Sequence, residues 1–193
     1  MKRLLIVISI FISTITAQAQ EFHNGTQVIS AGIGIGSNWG LHNGTQSPAI
    51  SLAYEQGVWD IDGPGVISLG AFVGHKSFKY NYNSAFYWYN QKLSYTIIGV
   101  RSAYHFNMID VEKLDLYAGA MLSFNMAKYK TESGYHHSDY AHFHDSNLDG
   151  NYRSTIGLSF YGGARYYFTD NLAVFGELGY GVAYLNLGIA FKL

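Results

Sequence analysis

Three observations predict an all-β fold, an eight-stranded antiparallel up-and-down transmembrane β-barrel. Apolar residues recur with period two through most of the 193-residue chain, and the residues between them are small and polar. Asp, Glu, Lys and Arg make up only 13% of the total, about half the roughly 25% of an ordinary soluble domain. Such a chain has too few charges to solvate a polar exterior. Twenty-two Gly, 17 Tyr and only two Pro disfavour helix and disorder, because Gly weakens helix interiors and Tyr favours strands. A formal net charge of -1 gives no electrostatic footprint for phosphate neutralisation, so no nucleic-acid partner is expected. Without Cys the chain has no disulfide framework, thiolate metal site, thiol nucleophile or lipoprotein anchor.

The first element is a targeting segment. Met1-Lys2-Arg3 gives a positive start, Leu4 to Ile15 an apolar stretch, and Ala17-Gln18-Ala19 a small-x-small cleavage pattern, the order of a secretory signal peptide. The stretch is shorter than the ~20 apolar residues of a spanning helix. Residues 1-19 are therefore expected to be removed, leaving 20-193 as one barrel domain.

Eight strands follow. The short runs are Ile29/Ala31/Ile33/Ile35, Ile50/Leu52/Tyr54, Ile67/Leu69/Ala71/Val73 and Thr96/Ile98/Val100/Tyr104/Phe106. The fifth is the longest unbroken case, from Leu114 to Met126, with every second residue apolar and Asp115, Tyr117, Gly119, Met121, Ser123 and Asn125 between them. The sixth runs from Ile156 to Phe168, the seventh is Leu172/Val174/Leu178/Tyr180, and the eighth closes the chain from Leu185 to Leu193. Their connections are Ser37 to Ser47, Gly57 to Pro64, Phe78 to Lys92, Asn107 to Lys113, Thr131 to Gly150, Thr169 to Asn171 and a tight link near Gly181. In an up-and-down meander, alternate connections lie at opposite ends, so one rim is expected to carry long loops and the other turns. Asp62-Gly63-Pro64-Gly65 and Thr169-Asp170-Asn171 supply turn chemistry. His23 to Gln27 recurs at His42 to Gln46; both copies read as turn chemistry.

Alternation does not by itself separate a barrel greasy inside from one greasy outside. A water-facing surface carries roughly 25–35% charged residues. Here the second face is Gly, Ser, Ala, Asn and Tyr with isolated charges at Glu55, Lys76, Arg101, Asp115, Arg165, Glu177 and Lys192. That composition suits the filled lumen of a narrow eight-stranded barrel and gives the aliphatic face to lipid. Only a closed barrel pairs both edges of a strand in hydrocarbon. Tyr54, Trp59, Tyr104, Phe106, Tyr166, Tyr167, Phe168 and Tyr180 collect near strand ends, where interfacial girdles form.

At this point the chain resembles a family. The signal peptide, the eight alternating strands, the segments Ile98 to Phe106 and Gly162 to Phe168, and the ending Asn186 to Leu193 are similar to the small outer-membrane β-barrel proteins of the OmpA/OmpX type. The resemblance implies an outer-membrane location in a Gram-negative-type envelope, contact with outer-membrane lipid, and insertion by the barrel assembly machinery with the last strand as its signal. Many relatives end in an aromatic residue, whereas this chain ends in Leu193 with Phe191 two positions earlier.

Four inward charges on separate strands, Glu55, Arg101, Arg165 and Glu177, are expected to form a barrel-interior charge network, because an unpaired charge in a water-poor lumen is costly and Arg satisfies carboxylates with a bidentate fork. A structural plug is the expected role; a gate or ion path is the alternative. His136, His137, His142 and His144 with Asp139, Asp145 and Asp149 have the chemistry of metal ligands but match no specific spacing, so no metal site is assigned. Phe78, Tyr80, Tyr82, Phe86, Tyr87, Trp88 and Tyr89 either extend a hairpin beyond the bilayer or offer stacking surfaces to a ligand, and the hairpin reading is preferred. Gly32-x-Gly34-x-Gly36 lacks dinucleotide spacing, and no cofactor is expected. A nucleophile needs a His oriented by a carboxylate; His105 points inward and Ser102 outward, so that pair is not aligned and no catalytic residue is assigned. The reading is a non-enzymatic outer-membrane barrel with an envelope-structural or surface-interaction role, its long loops open to a surface ligand. The alternatives are a lipid A-modifying enzyme in the same fold and a soluble exported ligand-binding barrel.

Overall fold

The structure, a computed structural model, describes residues 22–36, 44–107, 111, 113–135 and 147–193. The signal-peptide segment and the histidine-rich tract 136–146 lie outside the described residues. Nine strands form in chain order: β1 (Gln27–Ile35), β2 (Thr45–Gln46), β3 (Ala49–Ile61), β4 (Gly65–Asn83), β5 (Tyr87–Phe106), β6 (Leu114–Tyr135), β7 (Asn147–Tyr167), β8 (Leu172–Gly179) and β9 (Leu185–Lys192). Setting aside the two-residue β2, which pairs with β4, each strand pairs antiparallel with the next in sequence, and β1 pairs with both β3 and β9. The ring is thus an eight-stranded up-and-down barrel.

Alternation sets which side of the wall each residue faces. Val28 and Ser30 of β1 are buried while Ile29, Ile33 and Ile35 are exposed, and the same phase runs around the ring. Leu122 and Phe124 point outward, with 59% and 48% of their surface exposed, whereas Arg101 and Arg165 are buried inside. The apolar residues therefore face out. Ser, Asn, small residues and the charges fill the lumen, the arrangement the sequence predicts.

The wall is uneven. β4 to β7 run well past the eight-residue β8 and β9. The expected connection Phe78 to Lys92 is strand except at 84–86, pairing continuously up to Asn83↔Trp88. The expected Thr131 to Gly150 connection is likewise strand at both ends, and Gly57 to Pro64 is strand as far as Ile61. Past the apolar belt the outward residues are polar, such as Lys79 and Lys92, so the alternation fades before the pairing does. The inner side of this rising sheet still packs Phe78, Leu93 and Ala127, with Tyr95 and Tyr129 against them.

The opposite end is closed by turns and by the segment 22–26 that precedes β1. His23 to Thr26 forms a turn, Thr26 N donating to His23 O at 3.0 Å, and it docks on β3 through bonds between Gly25, Thr26 and Gly57. Gly25 has φ +88°, a conformation glycine adopts without steric cost. A bulge in β3 between Gly57 and Trp59 reverses the phase and puts Trp59 outside, 57% exposed. With Phe106, Tyr166 and Phe168, also exposed, it gives the turn end an outward aromatic rim. Tyr167 does not join that rim; it is buried in the lumen. Of the repeated pentapeptide, the first copy leads through its turn into β1 and the second ends in β2.

Candidate functional site: the charged layer of the lumen

Five strands contribute to one cluster. Glu55 stands on β3, Arg101 on β5, Asp115 on β6, Arg165 on β7 and Glu177 on β8, all at inward positions, so closing the ring brings them together across the lumen. Arg165 Nη2 donates to Glu55 Oε2 and its Nη1 to Asp115 Oδ2, the latter at 3.2 Å. Arg101 Nη2 donates to Glu177 Oε2 at 2.7 Å. Its Nε lies 3.0 Å from Glu55 Oε1 but aims its hydrogen at the Tyr161 hydroxyl, also at 3.0 Å, which leaves that carboxylate oxygen with a charge contact and no hydrogen bond. Gly70 lies between Glu55 and Arg101 in register. A Cβ there would run into the backbone of Tyr54 and the side chain of Glu55, so glycine is what lets the two wall residues meet.

Aromatic rings wrap both cations. Arg101 Cζ lies 3.9 Å from the Tyr161 ring centroid and Arg165 Cζ 4.4 Å from that of Tyr117; the Tyr117 hydroxyl donates to Glu177 Oε2 at 3.3 Å. A cation over an aromatic face gains more once water is excluded. The layer is also capped on both sides by apolar packing. Toward the turns, Phe22, Val28, Val66, Tyr167, Ala173 and Phe175 form one buried cluster. Toward the loops, Ala49, Phe72, Ile97, Met121 and Val182 belong to another. The lumen cavities beside Arg101 and Lys76 are about 30 and 10 Å³, room for a water and not for a column of them.

The four charges singled out in the sequence thus stand in one contact chain, and three further residues, Asp115, His105 and Ser68, join it. Asp115 faces its register partner Arg165, and through Oδ1 it accepts from His105 Nδ1 at 2.7 Å. His105 Nε2 lies 3.1 Å from Ser68 Oγ, within hydrogen-bond distance, and the same hydroxyl reaches Ala103 O at 3.4 Å. Inward parity marks all three residues in the sequence, but only the register across β4, β5 and β6 joins them. Ser68, His105 and Asp115 have the hydrogen-bond order of a nucleophile, base and orienting acid. Ser68 and His105 are fully buried, and the Phe22 ring lies against the imidazole, so the serine has no space beside it for a substrate. Ser102 faces out and donates to Ser68 O at 2.9 Å.

Two inward lysines stand apart from the chain. Lys76 Nζ donates to Gly36 O at 2.9 Å, tying β4 to the end of β1, and Lys192 Nζ lies 5.1 Å from the Tyr167 ring centroid. Among the described residues there is no cluster of three or more His, Cys, Asp or Glu fit for a metal ion, and His136, His137, His142 and His144 lie outside them.

No protein-family model matches the chain, and no curated protein matches it by sequence. Solved structures do. The attachment invasion locus protein Ail of Yersinia pestis, in complex with the heparin analogue sucrose octasulfate, is 13% identical and the match covers 88% of this chain and 99% of Ail, with a TM-score of 0.49. Neisserial surface protein A is 20% identical, covering 87% of this chain and 94% of its own, with a TM-score of 0.43. A de novo designed transmembrane β-barrel is 15% identical, covering 90% and 100%, with a TM-score of 0.39. The likeness is one of fold. It carries no residue of a site from one chain to another.

Proposed function

We propose that this protein is an integral outer-membrane β-barrel of a Gram-negative-type envelope, non-enzymatic, which adds to envelope structure and offers its loop end to surface partners. One observation carries the reading: aliphatic side chains such as Ile33, Ile50, Val100, Leu122, Leu158 and Ile189 are exposed around the ring while Glu55, Arg101, Asp115 and Arg165 are buried within it. In water that arrangement forfeits the hydrophobic effect and adds the desolvation of four charges; in lipid the exposed residues are already solvated. Insertion by the barrel assembly machinery is what the resemblance to small outer-membrane β-barrels implies for such a chain. The ion pairs then serve as a plug that fixes strand register, each Arg bonded to groups on two or more other strands.

The wall rising above the belt supports the surface role. Lys79 and Lys92 lie opposite one another across β4 and β5 on its outer face, beside Lys130, which pairs with Glu132 at 2.6 Å. Like charges at cross-strand positions destabilise a sheet, and an anionic ligand at Lys79 and Lys92 would relieve this. Carbonate extraction of membranes tests the main reading, with the protein expected in the pellet and release to the supernatant against it. Lipid A mass spectra from a deletion strain test the enzymatic alternative, an unchanged acyl pattern being expected. Exchange of Lys79 and Lys92 for Ser should weaken retention on a sulfated matrix, and unchanged retention removes the anionic surface ligand.

A further inference from the structure

The wall between β7 and β8 is incomplete toward the loops. Pairing runs from Tyr167↔Ala173 to Tyr161↔Gly179, and the last backbone bond across it is Tyr180 N to Phe160 O at 3.1 Å. Beyond that point β7 continues, whereas β8 has stopped at Gly179 and β9 begins only at Leu185. Among the described residues this upper part of β7 has no strand partner on that side. The link between β8 and β9 turns inward instead of filling the gap, with Val182 buried against the lumen cluster.

Two cavities meet at this opening, both touching Tyr180. The inner one, about 200 Å³, is bounded by lumen-facing Ile97, Ser123, Asn125 and Ser159 together with outward-facing Leu158. The outer one, about 430 Å³, is an open groove on the lipid side formed by Phe160, Gly162, Leu178, Tyr180 and Tyr184. The groove is apolar and the pocket behind it is not. Ser123 Oγ donates to Asn125 Oδ1 at 3.2 Å. Ser159 is only 8% exposed, yet its hydroxyl has no hydrogen-bond partner. A buried polar atom left unpaired is costly, and natural structures supply it with a partner.

The order of the two cavities is that of a lipid. Because β7 runs from the loop end to the turn end, the polar pocket at Gly157 to Ser159 lies loopward of the groove at Phe160 to Gly162. A lipid in that leaflet likewise has its polar linkage toward the surface and its chains toward the mid-plane. The outward residues flanking the pocket, Ile156 and Leu158, are 77% and 66% exposed, which sets the opening inside the apolar belt near its rim. What covers it there is membrane.

We propose that this lateral opening binds one acyl chain of a lipid from the surrounding leaflet. The chain fills the groove along Phe160, Gly162 and Leu178, and an ester or hydroxyl group near its head reaches Ser159 and Asn125. The inference rests on the membrane reading above and deepens it by naming where a lipid is held.

The test uses the full chain in phosphatidylcholine vesicles that contain a trace of phosphatidylcholine carrying a diazirine beside its ester. After illumination, adducts are mapped by peptide mass spectrometry. Adducts are expected on lumen-facing Ser123, Asn125 and Ser159 as well as on Leu122 and Phe124 of the belt, and not on Ser30 or Ser51 of the lumen across from them. A Cβ at Gly162 meets no heavy atom nearer than Tyr117 O at 3.7 Å, so Gly162→Phe fills the groove without opening the wall. It should lower the lumen adducts by about tenfold, the change that a modest loss of affinity produces, and leave the belt adducts unchanged. Leu178→Trp, on the other lip of the groove, should do the same. Belt adducts without lumen adducts, lumen adducts spread equally to Ser30 and Ser51, or lumen adducts that neither variant lowers would each overturn the proposal. Absence of belt adducts as well would overturn the membrane reading itself.

Discussion

The phenyl ring of Phe22 lies flat on the imidazole of His105, with centroids 3.6 Å apart and planes 5° from parallel. The residue precedes the first strand and lies as a lid over the charged layer. Its carbonyl accepts from Asn107 Nδ2 at 3.0 Å, which fastens the lid to the turn-end rim.

Phe22→Ala leaves a void beside His105 and Val28 that the closed ring cannot collapse into. Loss of a buried aromatic typically costs about 3 kcal/mol. Urea unfolding in vesicles should show that loss as a lower midpoint with an unchanged slope, because the surface exposed on unfolding barely changes. An unaltered midpoint would show that the lid adds nothing to the fold.

Arg165→Ala strands Glu55 and Asp115 in the lumen without their cation. Breaking a buried pair by removing one partner costs about 3–5 kcal/mol, because an uncompensated charge remains. Replacing Arg165 by Met and Glu55 by Leu together should be milder than Arg165→Ala alone, since the double exchange removes charges of both signs. In planar bilayers the unmodified protein should carry no steady ion current. A steady current would favour the gate over the plug.

Which side of the wall a residue faces is legible in the sequence, because period two is a property of the strand itself. Glu55, Arg101, Arg165 and Glu177 are identified that way. How far a strand runs is less legible. Phe78 and Leu93 keep an inward phase above the belt, but their outer neighbours Lys79 and Lys92 are polar, and the apolar contrast that reveals a strand is lost. Trp59 shows a second limit: counting by twos from Glu55 puts it inside, and the bulge after Gly57 turns it out. The bond from His105 to Ser68 is hidden for a third reason. It depends on the register that sets Ser68 beside Ala103 and His105 beside Tyr117, and alternation fixes phase without fixing register.

Ser68 should not react with fluorophosphonate probes despite its hydrogen bond to His105. A nucleophile acts only where a reacting carbon can come within contact distance, and Ser68 has no exposed surface. Intact-mass spectra after prolonged exposure should show the unmodified chain, and so should those of Phe22→Ala if the wall itself closes the site. Labelling confined to Phe22→Ala would instead make Phe22 a cover over a competent triad, and labelling of the unmodified protein would revive the lipid-modifying alternative.

Leu122→Arg separates the membrane reading from a soluble one without any knowledge of partners. Leu122 is 59% exposed and lies one outward position from Ala120, the middle of the apolar run Leu114 to Met126 on β6. If the outer face met water, an exposed leucine could become arginine at a cost within about 0.5 kcal/mol, and the added charge would improve solubility. If it meets hydrocarbon, an arginine near the mid-plane costs about 2–4 kcal/mol and less toward the interfaces. The same exchange at Leu114, the turn end of that run, supplies the interfacial reference and should cost about 0–1 kcal/mol. Reversible unfolding of both variants in vesicles therefore gives a depth profile from two points: a large loss at Leu122 with a small one at Leu114 fits the bilayer, and equal small effects at both would place the face in water.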